Sequence, residues 1–353
     1  MTTVLAQSKT DIDIINRLLK KNLPAYRKAY SDRTCWLMSC IAELSYLRFN
    51  PLFPDQSQKT NFLESIKKLT NENNKLALTK LIGLVGYDHT KETADLVDNL
   101  TLLSLELKET FDRNGTQAII AANSDFAVLA FRGTEVGSIK DIKADARAIV
   151  VACPSGGNIH SGFNDAYNEV AIDIQNRLDK DDLKDLPLYI TGHSLGGALA
   201  TVATKKISHL RGGIAACYTF GSPRVGDERW VGNIKTPIYR LVNAADCVTM
   251  LPPGDETITV IGWLAQWVPY VGKPVRAFLL TKVNGYLHAG NMRYITNCTS
   301  TDYSKVELLY SVNLFHRIKG LVTKKLPWVK LLKDHSISTY RKKLLIIASS
   351  RNA

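Results

Sequence analysis

The sequence predicts an α/β fold with a central, mostly parallel mixed sheet flanked by helices. Residues 102–131 contain three strand-like runs separated by turn signals such as Asp112-Arg113-Asn114-Gly115. Beyond residue 160, helix-like and strand-like runs alternate, which is typical of a sheet whose strands are connected by helices. In addition, 45% of the 353 residues are apolar and 22% are charged, a composition that excludes global disorder.

The domain organisation is predicted from a change near residue 100, where helix-like stretches give way to strand-like runs. No linker is recognisable at this position. Residues 1–100 contain helix-like stretches, and we interpret them as a helical N-terminal extension packed on the main domain. Residues 101–353 are predicted to form that main domain, with an insertion at about 254–283. The alternating elements are strands at 187–191, 215–220 and 237–242 and helices at 161–178 and 195–207.

A nucleophile elbow is predicted at Gly192-His193-Ser194-Leu195-Gly196, which joins a short strand to a helix. In a G-x-S-x-G turn the serine sits on a strained backbone, and the two glycines avoid collisions with the neighbouring strand and helix. Ser194 is therefore the predicted nucleophile of an α/β-hydrolase fold. The N–H of Leu195, at the helix N-terminus, is a predicted oxyanion donor. His193 is expected to point away from the site and to pack against neighbouring residues.

A carboxylate that orients a general base is predicted from chain order. A serine needs such a base, and in α/β-hydrolases the partners follow in the order Ser, Asp/Glu, His. Asp246 lies 52 residues after Ser194, just beyond a predicted strand that ends at Asn243. Asp227 and Asp255 are alternatives, and Asp227 has the pattern of a helix N-cap.

Several further blocks, in order over about residues 100–345, resemble the fungal-type (class 3) triacylglycerol lipase family. They are FRGT at 131–134, HSGF at 160–163, YTFGSPRVG at 218–226, YRLVN at 239–243, LPP at 251–253 and HAG at 288–290. The resemblance implies hydrolysis of carboxylic esters and supports Asp246 as the acid. Residues 1–100 have no counterpart from which a function is taken.

The general base is predicted from chain order and from the resemblance together. Only His288, His316 and His335 follow Asp246 in the chain. The family's catalytic histidine lies near the C-terminus before an aromatic residue, and His335 is similarly placed. The family also has a histidine at the position of His288, where it is not the base. We therefore expect His335 to be the base, with His288 as the second candidate and His316 as a surface residue.

The resemblance also implies an oxyanion donor and a lid after the strand that ends near residue 131. Thr134 has the family's position for the second oxyanion donor, although it could instead only turn the chain. The lid corresponds to residues 135–145, where Ile139 and Ile142 begin an apolar stripe on a charged helix. The family often has a tryptophan near the centre of this helix. Because this chain has none there, we expect a lid without strong interfacial activation.

No cofactor and no metal is expected, because the sequence contains no G-x-G-x-x-G, no phosphate-binding Gly-Lys-Ser/Thr and no metal-ligand spacing of Cys and His. The net charge of +12 is concentrated between residues 311 and 353, which hold ten Lys or Arg and one acid. This basic segment fits either peripheral contact with an anionic membrane surface or a solvated surface. Nucleic acid is not expected as a partner. The sequence does not indicate an oligomeric state.

The insertion carries Trp263, Trp267 and Tyr270 on one predicted helical face, which fits either a membrane interface or a satellite core. Neither a signal peptide nor a transmembrane helix is recognisable in the sequence. The expected location is therefore the cytoplasm or the exterior, reached without a cleaved leader.

The sequence thus predicts a lipase or carboxylesterase that acts on acylglycerols or related fatty-acyl esters. Phospholipase A1 is the first alternative, including an effector exported without a leader. A catalytically silent lipid-binding protein is a more distant alternative, because it would be expected to lack a triad residue and all three positions are filled here.

Overall fold

A computed structural model of the chain contains an eight-stranded mixed sheet. The structure describes residues 3–21, 23, 28–49, 56–72, 75, 88–133, 150–154, 156–252, 285–298, 303–312 and 333–351. The strands of the large sheet are β1 (Glu106–Arg113), β2 (Thr116–Ala122), β3 (Ala127–Phe131), β6 (Leu188–His193), β7 (Ile214–Phe220), β8 (Ile238–Asn243), β9 (Asn291–Ile295) and β10 (Leu308–Leu309). A separate antiparallel pair is formed by β4 (Val150–Ala152) and β5 (Asn158–His160).

The large sheet has the order β1-β2-β3-β6-β7-β8-β9-β10. Its centre, from β3 through β6, β7 and β8 to β9, is parallel, while the two ends are antiparallel. Every residue of β3 and β6 is buried, as expected for parallel strands covered on both faces. The predicted mostly parallel mixed sheet is confirmed.

Helices cover both faces of the sheet and divide the core into two apolar clusters. The described helices are α1 (Lys9–Leu19), α2 (Asp32–Leu44), α3 (Gln56–Asn71), α4 (His89–Leu102), α5 (Ser161–Leu178), α6 (Leu195–Lys206), α7 (Glu228–Gly232) and α8 (Ile337–Arg351). Helices α5 and α6 pack on one face, and α2 packs with α8 on the other. Among the helices described, none is long and apolar enough to cross a bilayer.

Helix α2 explains how the N-terminal part of the chain joins the main core. The side chain of Ser31 caps its N-terminus by accepting a hydrogen bond from the N–H of Thr34. Ten of the thirteen residues of α2 are buried, so the helix is enclosed by the rest of the fold on most of its surface. Its side chains share one cluster with those of the sheet and α8. The predicted insertion at about 254–283 lies outside the described residues.

Candidate active site

Strand β6 passes into helix α6 through a sharp turn at Ser194. Ser194 has φ 57° and ψ −127°, a conformation that L-residues adopt only under constraint. A Cβ at Gly192 would overlap the carbonyl of Gly196, and a Cβ at Gly196 would overlap the carbonyl of Phe131. The N–H of Ser194 donates to the carbonyl of Phe220 on β7 at 2.9 Å. Close backbone contacts thus hold the serine in the strained turn, and both glycines are sterically required.

A continuous row of hydrogen bonds joins the side chains of Ser194, His335 and Asp246, in that order. His335 Nε2 lies 2.9 Å from Ser194 Oγ, and His335 Nδ1 lies 2.9 and 3.0 Å from the two carboxylate oxygens of Asp246. All three residues are at most 1% exposed. An ionised carboxylate only accepts hydrogen bonds, so Nδ1 carries the imidazole proton. Nε2 is then free to accept the proton of the serine hydroxyl.

The carboxylate of Asp246 receives two further hydrogen bonds that sequence reasoning missed. The Tyr340 hydroxyl donates to Oδ2 at 2.6 Å, and the N–H of Val248 donates to Oδ1 at 3.0 Å. A buried carboxylate is costly unless its oxygens accept such bonds. Tyr340 is the aromatic residue that follows His335 in the chain, and this proximity was the signal that could have identified it.

His193 is buried and hydrogen-bonded through both ring nitrogens, which goes beyond the packing role expected from its place beside the nucleophile. Nε2 donates to the carbonyl of His335 at 2.6 Å, and Nδ1 accepts from the Tyr46 hydroxyl at 2.7 Å. Burial, together with the neighbouring His335, holds the pKa of His193 well below its usual value of 6.5. Neutral His193 therefore tethers the backbone of His335 to Tyr46, a residue of the N-terminal part.

Of the two predicted oxyanion donors, Leu195 lies within the described residues, directly after the nucleophile. Leu195 is the first residue of α6. The N–H groups of the first helical turn have no carbonyl partner within their own helix, so the N–H of Leu195 is not used by α6. Thr134, Ile139 and Ile142 lie outside the described residues. Gly133, the residue before Thr134, lies so close to the carbonyl of His193 that a Cβ there would overlap it. The backbone at Gly133, directly before Thr134, thus lies against the nucleophile elbow.

The alternative candidates have other partners. His288 Nε2 donates to the carbonyl of Thr249 at 2.7 Å. Asp227 caps α7 by accepting from the N–H of Trp230 at 2.8 Å. Asp255, His316 and the three aromatic residues of the predicted insertion lie outside the described residues. Within the described part of the chain, no group of three or more His, Cys, Asp or Glu is arranged to hold a metal ion.

Among the basic residues between 311 and 353 that the structure describes, three have polar partners elsewhere in the fold. Arg341 pairs with Glu43, Lys343 bonds Asn243 at 2.7 Å, and Arg351 pairs with Asp32 at 3.3 Å. Arg341 and Lys343 are almost completely buried. The charge of these two side chains is therefore not available to a membrane surface, contrary to the uniform basic segment that the composition suggested.

Comparison with known proteins shows what the central part of the chain is similar to. Residues 128–256 match the family described as Lipase (class 3). A lipase from Rhizomucor miehei is 37% identical over 137 residues, which are 35% of this chain and 37% of that protein. A secreted mono- and diacylglycerol lipase of Fusarium solani is 38% identical over 106 residues, 28% of this chain and 31% of that protein. Over this segment, which is just over a third of its length, the chain is similar to fungal class 3 lipases.

The match covers only a third or so of the length of these two curated lipases. Among solved structures, lipase II from Rhizopus niveus has a TM-score of 0.51 at 19% identity, over 87% of this chain and 94% of that chain. A triacylglycerol lipase has a TM-score of 0.50 at 21% identity, over 90% and 98%. The α/β-hydrolase fold that this chain shares with these two lipase structures thus extends well beyond the segment of sequence similarity.

Proposed function

We propose that this chain is a class 3 lipase-family serine hydrolase of acylglycerols or related fatty-acyl esters. The observation that carries the proposal is the row of hydrogen bonds of about 3 Å from Ser194 through His335 to Asp246. The names of the relatives at 37 and 38% identity support the acylglycerol substrate class. A catalytically silent lipid-binding protein would not need a strained, buried serine aligned with a histidine.

In the proposed reaction, Ser194 Oγ attacks the ester carbonyl carbon while His335 Nε2 accepts the hydroxyl proton. The ionised Asp246 stabilises the imidazolium that forms and keeps the proton on Nδ1. The negative oxygen of the tetrahedral intermediate is stabilised by the N–H of Leu195 and, in this proposal, by Thr134. His335 then protonates the leaving alcohol, and water activated by the same histidine releases the fatty acid from Ser194.

Phospholipase A1 activity is a second candidate, which one comparison favours. Phospholipase A1-Igamma2 of Arabidopsis thaliana is 27% identical over 159 residues, 35% of this chain and 30% of that protein. The same three residues would serve either substrate, because both reactions are acyl-ester hydrolyses. The difference lies in the group attached to the leaving oxygen.

A hydrolysis panel with Ser194→Ala as the paired control tests both candidates. The substrates are p-nitrophenyl esters, di- and triacylglycerol emulsions, and phosphatidylcholine vesicles. We expect fatty-acid release from acylglycerols by the unaltered protein, and a loss of at least about a thousandfold in the variant. Preferential release of the sn-1 chain from phosphatidylcholine would favour phospholipase A1. Full activity of Ser194→Ala would contradict the mechanism.

We also propose peripheral contact of the basic segment with anionic lipid, through its exposed basic residues. Lys342 is exposed on α8, next to the buried Arg341 and Lys343. Such exposed charges each contribute about 1 kcal/mol near an anionic bilayer before salt screening. Sedimentation with neutral and anionic vesicles at low salt tests this, and equal binding to both would contradict it.

A further inference from the structure

A lysine side chain is buried beside the candidate active site. Lys343 on α8 is 1% exposed, and its Nζ donates to Asn243 Oδ1 at 2.7 Å and to the carbonyl of Thr296 at 2.9 Å. Lysine is almost never fully buried unless it is paired, because desolvation of an ammonium group is costly. The burial of this ammonium group therefore calls for an explanation in terms of the groups that it holds in place.

Asn243 connects this ammonium group to the backbone next to the base. Its side chain is fully buried at the end of β8, and Nδ2 donates to the carbonyl of Asp334 at 2.7 Å. An ammonium group only donates and a carbonyl only accepts, so the two partners allow a single orientation of the amide. Lys343 thus aims the Asn243 amide at Asp334, the residue directly before His335.

Asn243 is also connected to Asp246, through the hydroxyl of Tyr340. Its backbone N–H donates to the Tyr340 hydroxyl at 2.9 Å, and that hydroxyl donates to Asp246 Oδ2 at 2.6 Å. One residue at the end of β8 therefore contacts both the backbone that carries His335 and the hydroxyl that supports Asp246. Lys343 donates to the side-chain oxygen of the same residue.

We propose that Lys343 is a positioning residue, which acts through Asn243 to align His335 with Ser194 and Asp246. This inference rests on the proposed esterase function, since alignment matters only if the three residues react. Lys343 does not touch substrate in this account. Its part is to hold the amide of Asn243, and that amide holds the backbone directly before His335. A small displacement of a general base is expected to slow the chemical step strongly.

The test compares Lys343→Met with Lys91→Met. Both variants remove one lysine charge from a helix, but Lys343 is buried whereas Lys91 is exposed on α4. Hydrolysis of p-nitrophenyl butyrate gives kcat and KM, and irreversible labelling of Ser194 with a p-nitrophenyl phosphonate counts the active sites. We expect Lys343→Met to lose tenfold or more in kcat per titrated site, with KM changed less than twofold. Lys91→Met should keep both values.

A second variant decides the case if Lys343→Met does not fold. Asn243→Asp retains an acceptor for Lys343 but removes the donor to the Asp334 carbonyl, and it should show a similar loss of kcat per titrated site. Where both single variants fold, the double variant should lose little more than either, because the two residues act in one chain of contacts.

Unchanged kcat per titrated site in either folded variant, with at most fewer titratable sites, would overturn the positioning role. Absence of ester hydrolysis and of Ser194 labelling in the unaltered protein would instead overturn the proposed function.

Discussion

The hydroxyl of Tyr340 donates a 2.6 Å hydrogen bond to Asp246 Oδ2, and the hydroxyl oxygen of Tyr340 accepts a hydrogen bond from the backbone N–H of Asn243. Tyr340 lies in the first turn of α8, five residues after His335, so one short segment supplies both the base and a support for the acid. The buried carboxylate thereby has a fixed orientation toward the imidazole.

Tyr340→Phe should weaken catalysis without abolishing it. Loss of the hydroxyl removes one donor from Asp246 and leaves the N–H of Asn243 unpaired, which costs about 1–3 kcal/mol of stability. We expect kcat to fall about tenfold with little change in KM, measured on a p-nitrophenyl ester. Tyr310→Phe, at a side chain that is 69% exposed, is the matched control and should behave like the unaltered protein.

The glycines of the elbow should tolerate no side chain. Gly196→Ala places a Cβ against the carbonyl of Phe131 on the neighbouring strand, where backbone cannot move aside cheaply. We expect the free energy of unfolding in urea to fall by about 3 kcal/mol or more, as for other overpacked cores. Gly232→Ala, where nothing lies within 4 Å of the added Cβ, should change it little. Equal stability of the two variants would contradict the close approach.

The parts of the site that were predictable from sequence depend on local sterics or on chain order. Gly192 and Gly196 indicate the elbow because the collisions that they avoid occur within a few residues of the turn and with the adjacent strand. Asp246 and His335 follow from the order of partners and from the family resemblance. The alternating strands and helices likewise indicated the parallel centre of the sheet.

The supporting contacts were not predictable, because they join residues that are distant in the chain and have no local signature. Tyr46 lies 147 residues from His193, and Asn243 lies 91 residues from Asp334. The basic segment was misjudged for a similar reason. Composition counts Lys343 as one charge among ten, whereas packing of α8 on α2 and the sheet buries it.

Stability should decrease as the pH falls below about 6.5, partly because of His193. Its pKa in the folded protein is well below 6.5, since burial disfavours the charged ring, whereas the unfolded chain has the ordinary value. The unfolded state therefore binds more protons below pH 6.5, and each such group contributes a slope of up to about 1.4 kcal/mol per pH unit. Urea unfolding at pH 7.5 and pH 5.5 measures the loss.

His193→Gln should reduce this pH dependence, because glutamine does not titrate. Val97→Gln, at an exposed position on α4, removes no titrating group and should leave the pH dependence unchanged. An identical pH slope in the His193→Gln variant and the unaltered protein would show that His193 is not kept neutral by the fold.

The buried pair of Arg341 and Glu43 should be essential for docking of α8 on α2. Arg341 also donates to the carbonyls of Leu5 and Val4, at 3.3 Å each, so one guanidinium joins the N-terminal segment to α2. Burial raises the pKa of Glu43 even though the guanidinium opposes this. Arg341→Met would leave that carboxylate without its counter-ion, a change that typically costs about 3–5 kcal/mol. Urea unfolding should show a loss of this size, whereas Lys342→Met should lose less than about 0.5 kcal/mol, as exposed substitutions usually do. If the two variants were equally stable, the C-terminal charges would be solvated after all.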